Sequence, residues 1–290
     1  MRSIALALLL MVVPSAAFGQ AWTRDQGRAY LNVSFRHLSG DRAYGSEFEA
    51  HDLPTAYTQT SLGLYGELGI VDQYLMATVS DDLYRRNQLD AQGATSGFGD
   101  TELGLWSGLI TTPFRLTTGV KLGLPTGDRD PKPDDGADDD ARLIAASLPT
   151  GDGEVDITPT IVAGYGFGGD GWPLEHYLVA AVGYGIRTKG FADDFQYKLE
   201  LGTKVPTAFL DRFWLTLRFF GTESLASNAE AANNPSGFGT GNGVTFTSAS
   251  AELYGRIYEG LGASVAVDTA FRARGIIAAM PIKLALSYEL

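Results

Sequence analysis

The sequence contains no cysteine, which excludes a disulfide scaffold and a lipid anchor carried on cysteine. It has three histidines, and His51 and His176 lack partners at metal-ligand spacing. Charge is sparse: 19% of the 290 residues are Asp, Glu, Lys or Arg, low for a surface in water. The balance is acidic, at a formal −12, so no basic stripe exists to neutralise phosphates, and no nucleic acid partner is expected. Long apolar runs are missing as well. Apart from Ile4 to Val13, no stretch approaches the roughly 20 residues of a spanning helix, so any membrane crossing is made of strands. There is no Gly-rich phosphate loop, nucleophile elbow or zinc motif, and no cofactor is expected.

What is present begins with a leader. Arg2 supplies a positive start, Ile4 to Val13 an apolar core, and Ala17-Phe18-Gly19 an A-x-G cleavage site. Residues 1–19 therefore read as a signal peptide and 20–290 as the mature chain, whose charge without Arg2 is −13. The 36 glycines and 11% aromatics suit a barrel, where glycines let strands pack closely and aromatics form interfacial girdles.

From Gly27 on, short segments alternate apolar and polar residues with period 2, the signature of strands with one apolar face. Gly97 to Asp128 is the clearest unit, a hairpin turning at Thr111-Thr112-Pro113. In its second strand Phe114, Leu116, Thr118, Val120, Leu122 and Leu124 oppose Arg115, Thr117, Gly119, Lys121 and Gly123. Ten further strands follow the same rule: 27–37, 56–68, 73–84, 154–167, 174–187, 195–205, 213–221, 244–257, 261–271 and 282–290. Short turns near 70, 112, 170, 208 and 259 alternate with longer loops near 45, 90, 140 and 232; the loops near 190 and 275 are short. The fold class is all-β, a transmembrane antiparallel up-and-down barrel of about twelve strands, with ten and fourteen as alternatives. Both termini and the short turns then face the periplasm, and the long loops face outward. One of these is the acidic loop at about 128–153, another the Gly/Asn-rich loop at about 223–243.

A charge facing lipid at the midplane costs about 2–4 kcal/mol, so the charged faces point inward. The lumen lining then includes Tyr65, Glu102, Trp106, Lys121, Lys198, Glu200, Arg218, Glu252 and Arg256. Their mixed signs allow cross-strand pairing, which either stiffens a filled barrel or lines a polar path.

The segment GFGDTELGLW followed by TTGVKLGLPTGD resembles the MetA-pathway-of-phenol-degradation family of outer-membrane proteins, a transporter group similar in concept to FadL-type channels. The matching motifs are Gly97-Phe98-Gly99-Asp100 opening one strand and Leu124-Pro125-Thr126-Gly127-Asp128 closing the next, with Gly69-Ile70-Val71-Asp72 and Gly151-Asp152-Gly153. The resemblance implies passive passage of small hydrophobic, often aromatic, solutes across the outer membrane. The apolar face ending at Leu290 resembles the C-terminal signal read by the barrel-assembly machinery, with Leu where Phe is more usual. Expected partners are thus outer-membrane lipid and lipopolysaccharide, that machinery and a small solute.

Two other functions fit parts of the sequence. A closed barrel acting through its loops, in adhesion or envelope structure, would display the acidic and Gly/Asn-rich loops. The acidic run, Asp134, Asp135, Asp138, Asp139 and Asp140, offers oxygen ligands for a divalent cation but lacks the EF-hand order; a solvated loop is the plainer reading. A rim lipid hydrolase would use His37 and Ser39, which share the apolar face, yet no orienting third residue accompanies them, and no enzyme is expected. LPTGD occurs twice, at Leu124 to Asp128 and Leu148 to Asp152, and both copies read as strand-end turns flanking the acidic loop.

Overall fold

The computed structural model describes residues 19–134, 139–168, 174–205, 213–227 and 238–290. Its strands are β1 (Ala29–Tyr44), β2 (Ala50–Val71), β3 (Leu75–Leu89), β4 (Gly93–Gly97), β5 (Thr101–Ile110), β6 (Phe114–Leu124) and β7 (Asp156–Gly168). They continue as β8 (Glu175–Arg187), β9 (Asp194–Val205), β10 (Phe213–Ser224), β11 (Thr245–Tyr258), β12 (Leu261–Arg274) and β13 (Ile282–Glu289). Neighbours pair antiparallel, and β13 pairs with β1 from Tyr30↔Glu289 to His37↔Ile282, which closes the sheet. β4 and β5 are two halves of one stave, because β3 pairs with β5 through its first half and with β4 through its second. The wall therefore has twelve staves, the number read from the alternation.

Register decides which face meets lipid. Leu31, Val33 and Phe35 of β1 are exposed on the outside, while Tyr30 and Leu38 are buried inside. Leu105, Val120, Ile161, Val182, Leu199, Leu217, Val265 and Leu284 extend this apolar belt around the barrel. Aromatic rings sit above and below it. Phe195, Tyr197, Phe219 and Phe271 form a chain of contacts toward the loop end, with Tyr165, Phe167 and His176 toward the turn end. That is the girdle arrangement of a membrane barrel.

Several expected loops prove to be folded. The segment 39–54, expected to be irregular, instead continues β1 to Tyr44 and starts β2 at Ala50, with a bulge between Gly40 and Arg42. The segment after Tyr84, also expected to be a loop, is the hairpin of β3 and β4. Both extensions stand beyond the apolar belt, where neither face needs to be apolar, so period 2 fades although pairing continues. The acidic loop carries a helix, α1 (Asp139–Ala146), and folds back onto the barrel mouth. Its Asp135 and Asp138 lie outside the described residues, as do the turns at 169–173 and 206–212, residues 228–237 of the Gly/Asn-rich loop, and the expected leader except Gly19.

The belt makes a direct prediction. Leu199 lies mid-strand on the outer face, so Leu199→Arg should lower stability by about 2–4 kcal/mol, read from urea titration of the barrel refolded in lipid vesicles.

Candidate functional site

The turn end of the lumen is closed from within by the segment ahead of β1. A 3-10 turn at Gly19–Ala21 enters the barrel, and Ala21 packs among Met76, Trp106, Val162, Tyr177, Val179, Trp214 and Tyr254. Trp22 meets Tyr177 edge-on at 6.1 Å. Polar anchors fix the segment to the wall. The Thr117 hydroxyl donates to the Ala21 carbonyl at 3.1 Å, the Gln73 amide to the Arg24 carbonyl at 3.2 Å, and the Thr23 hydroxyl to the Gln73 carbonyl. Arg24 is buried between Glu67 and Glu289, with Tyr30 under its guanidinium at 5.0 Å. Such a buried cation is tolerable only with partners on several sides, and it has them. Gly164 is required for the fit. A Cβ there would lie 2.7 Å from the Ala21 Cβ and 2.8 Å from the Trp22 ring.

Above this closure lies a cavity of about 470 Å³. Its charged walls are paired: Lys121 with Glu102 at 2.8 Å, and Arg218 with Glu200 at 2.7 Å and Glu252 at 2.6 Å. Glu200 also accepts from the Tyr177 hydroxyl at 2.9 Å, and Lys198 stands 4.0 Å from it. Phe220 and Phe246 supply apolar wall above them.

The loop end is gathered around Asp100, the last residue of the GFGD motif. Its two carboxylate oxygens accept the backbone amides of Gly127, at 3.0 Å, and Asp152, at 2.7 Å, one from each LPTGD copy. The copies also bind each other, the Asp128 amide donating to the Thr150 hydroxyl and the Thr150 amide to the Asp128 carbonyl, both at 2.9 Å. Asp152 in turn accepts from the Gly241 amide at 2.8 Å and from Arg187 at 2.8 Å, and Glu154 pairs with Arg187. Leu148 is held through its carbonyl by Thr95, and its side chain joins Leu38, Tyr57 and Ile277 in a second buried cluster. The repeated motif is therefore a clasp that draws the acidic loop into the mouth.

The residues expected to line the lumen divide by height. Glu102, Trp106, Lys121, Lys198, Arg218 and Glu252 border the central cavity, and Glu200 lies buried behind its wall. Trp106 is inward but packed into the lower cluster, its ring nitrogen donating to the Thr78 hydroxyl at 3.0 Å. Tyr65 and Arg256 belong to the lower closure, Tyr65 donating to Glu67 at 2.7 Å and Arg256 standing 4.0 Å from Glu289. Of the acidic run, Asp134 accepts from Ser96 at 2.9 Å, and Asp139 faces Arg142 at 3.8 Å within α1. Among the described residues, no three His, Asp or Glu side chains are placed to hold a metal ion. His37 and Ser39 do not meet: His37 bonds Thr60 at 3.2 Å and Ser39 bonds Thr58 at 3.2 Å. Sequence reasoning missed Arg24, Asp100, Asp152 and Arg187. The doubled LPTGD was the available signal for the clasp.

Burial pushes the Glu154 carboxyl up to about 7, against the pull of Arg187, and burial likewise raises Asp152. A folded pKa above the free value favours the docked loop below pH 4.5, and this contribution is lost as pH rises through about 7. Protease nicking within 128–153 should therefore increase between pH 6 and pH 8, and Glu154→Gln should flatten that rise. Asp100→Ala removes two charge-assisted bonds and should raise nicking at least about tenfold at either pH, with the barrel still resistant.

No family model matches the sequence, and no curated protein matches it. Among solved structures, the COG4313 outer membrane channel from Pseudomonas putida F1 is similar at a TM-score of 0.64 and 13% identity, covering 94% of this chain and 98% of that one. The NanC porin follows at a TM-score of 0.49 and 8% identity over 90% of this chain and 100% of that one. The β domain of the Bordetella autotransporter BrkA scores 0.48 at 14% identity, over 91% and 100%. With the closed twelve-stave wall and its apolar belt, the first of these likenesses gives the chain the fold of an outer-membrane β-barrel.

Proposed function

We propose that this protein is a passive outer-membrane channel for small solutes, hydrophobic or aromatic in character, with the segment 20–26 as its inner plug. The observation that carries the reading is the cavity between two closures, walled by paired charges below and by Phe220 and Phe246 above. Any ring of twelve staves leaves space inside; what favours a channel is that about 470 Å³ stays open here with charged and aromatic side chains at its wall. Eight-stranded barrels fill with side chains and sixteen-stranded ones open to water; twelve staves leave a lumen narrow enough for a seven-residue segment to stop it. The short turns and both chain ends then lie in the periplasm, and the clasped acidic loop faces outward toward lipopolysaccharide. Glu102, Trp106, Lys121, Lys198, Arg218 and Glu252 border the path, and the resemblance to phenol-degradation transporters agrees with an aromatic solute. A second reading, a closed barrel acting through its loops, draws on the two buried clusters at the ends of the lumen.

Uptake into proteoliposomes separates the two. A small aromatic compound should enter faster than a sugar of similar size; equal rates would mean a general pore, and no uptake above protein-free vesicles would favour the closed barrel. Gly164→Val should unseat Ala21 and Trp22 while leaving the wall paired, raising single-channel conductance several-fold over the native chain. Arg24→Ala should act in the same direction through loss of the Glu67 and Glu289 pairs.

A further inference from the structure

The mid-lumen charges do not quite cancel. Lys121, Arg218 and Lys198 each have a carboxylate within 4.0 Å, and so does Arg85, which pairs with Asp82 at 2.6 Å. Arg36 and Lys283 have none among the described residues. They are direct cross-strand partners on the lumen face of β1 and β13. Like charges placed opposite each other in a sheet repel, and the repulsion grows inside a low-dielectric lumen. Arg36 is steadied by one neutral bond, from its guanidinium to the Gln59 side-chain oxygen at 3.0 Å. Glu252 neighbours Lys283 and Asp82 neighbours Arg36, but each is already taken by an arginine, Glu252 by Arg218 and Asp82 by Arg85, both at 2.6 Å; Asp268 borders the same space and is an electrostatic neighbour of both cations. With Glu252 and Asp82 engaged by Arg218 and Arg85, two cations share Asp268, and one positive charge is left without a carboxylate of its own.

That charge lies at the join of two cavities. Lys283 and Asp268 line the central one; Arg36 and Asp268 line a second, of about 240 Å³, toward the loop end. Phe220 and Phe246 are common to both, and Leu38, Phe238 and Ile277 make the far wall of the second apolar. A cationic point on one side of an aromatic and aliphatic chamber has the form of a site for a molecule with one anionic end and one apolar body. Guanidinium suits a carboxylate, since its fork can meet both oxygens.

Resting on the channel reading above, we infer that the solute is a monoanionic amphiphile, a small aromatic or short-chain carboxylate. Its head is held between Arg36 and Lys283 and its apolar body lies against Phe220, Phe246 and Phe238. One bound carboxylate brings the cluster of Arg36, Lys283 and Asp268 to neutrality. The head replaces the repulsion across the β1–β13 pair with two charge-assisted contacts.

The test is equilibrium dialysis with the full mature chain in phosphatidylcholine nanodiscs, using 4-phenylbutanoate and its neutral amide, with empty nanodiscs as background. The carboxylate should bind at least about tenfold more tightly than the amide in low salt, the difference expected of one charge-assisted contact. Arg36→Gln and Lys283→Met should each shrink that ratio toward one without weakening the amide, which also reports that the chamber is intact; Lys283→Arg should keep it. Equal binding of acid and amide by the native chain would overturn the proposal, as would a ratio that survives both substitutions combined. Passage is read separately by uptake into proteoliposomes. If the amide passes as readily as the acid, the anionic site falls and the channel stands; if neither binds nor passes, both readings fall.

Discussion

A peptide group inside a bilayer has no water to bond, and each unsatisfied one costs several kcal/mol, on the order of what a whole domain's net stability can bear. Everything in this chain follows from meeting that condition with strands. A sheet has two edges, and the pairing of β1 with β13 removes them. Once the sheet is closed, inside and outside are fixed for every second residue. The outer series must be apolar over the height of the belt; the inner series is free to carry Glu, Lys, Arg and Gly. The low charge content and the absence of long apolar runs are two results of this one requirement.

Closure creates a second condition. A ring of twelve staves is wider than side chains alone can fill, so the interior must be filled by other parts of the chain or by water and solute. Two segments from outside the wall do part of this. The segment before β1 brings Ala21 and Trp22 against Gly164 and Tyr177, and the acidic loop brings Leu148 against Tyr57. Each is held by bonds to backbone groups, which fix position without demanding a particular side chain at the far end. The ion pairs of the middle are weak evidence for stability, because desolvation offsets their attraction. Their consequence is placement: they hold the walls of the cavity in one arrangement and leave Arg36 and Lys283 conspicuous as the pair they do not complete.

The wall was legible in the sequence because lipid imposes period 2 directly on composition. Segments such as Phe195 to Val205 or Ile282 to Leu290 admit one reading, and their bounds agree with β9 and β13 to within one residue. The extensions of β1, β2 and β3 were not legible, since above the belt water satisfies either face and the pattern carries no signal. Residues 93–97 failed for a further reason. β4 is separated from β5 by Phe98, Gly99 and Asp100, so one stave is split by the motif that was read as its beginning. The repeated LPTGD was visible, but Asp100 as the point on which both copies close was not. Its partners are backbone amides of Gly127 and Asp152, and a backbone amide leaves no trace in a sequence. The plug was hidden likewise: Gln20 to Gln26 is too short for a period, and its partners are spread over β2, the turn after it, β6, β7, β8 and β13.

Charge shows best how the chain's parts divide their work. The chain is strongly acidic, yet its acids are not spread evenly. Asp100, Asp152, Glu154, Asp156 and Asp194 crowd around Arg187 in a chamber of about 240 Å³ at the loop end. This chamber borders Glu102, Gln196 and Phe246 of the central cavity; the apolar chamber beside Arg36 borders the same cavity through Phe220, Phe246 and Asp268. The cavity therefore meets two recesses of opposite character, one carboxylate-lined and one apolar with a cation at its base. An anion is repelled from the first and drawn to the second, while a cation meets the reverse, because focused charge in a low-dielectric cleft acts over its whole width. The two recesses are held differently, for the Asp100 clasp ties both LPTGD turns and Arg187 across the acidic one, whereas Arg36 in the apolar one rests on the single neutral bond to Gln59.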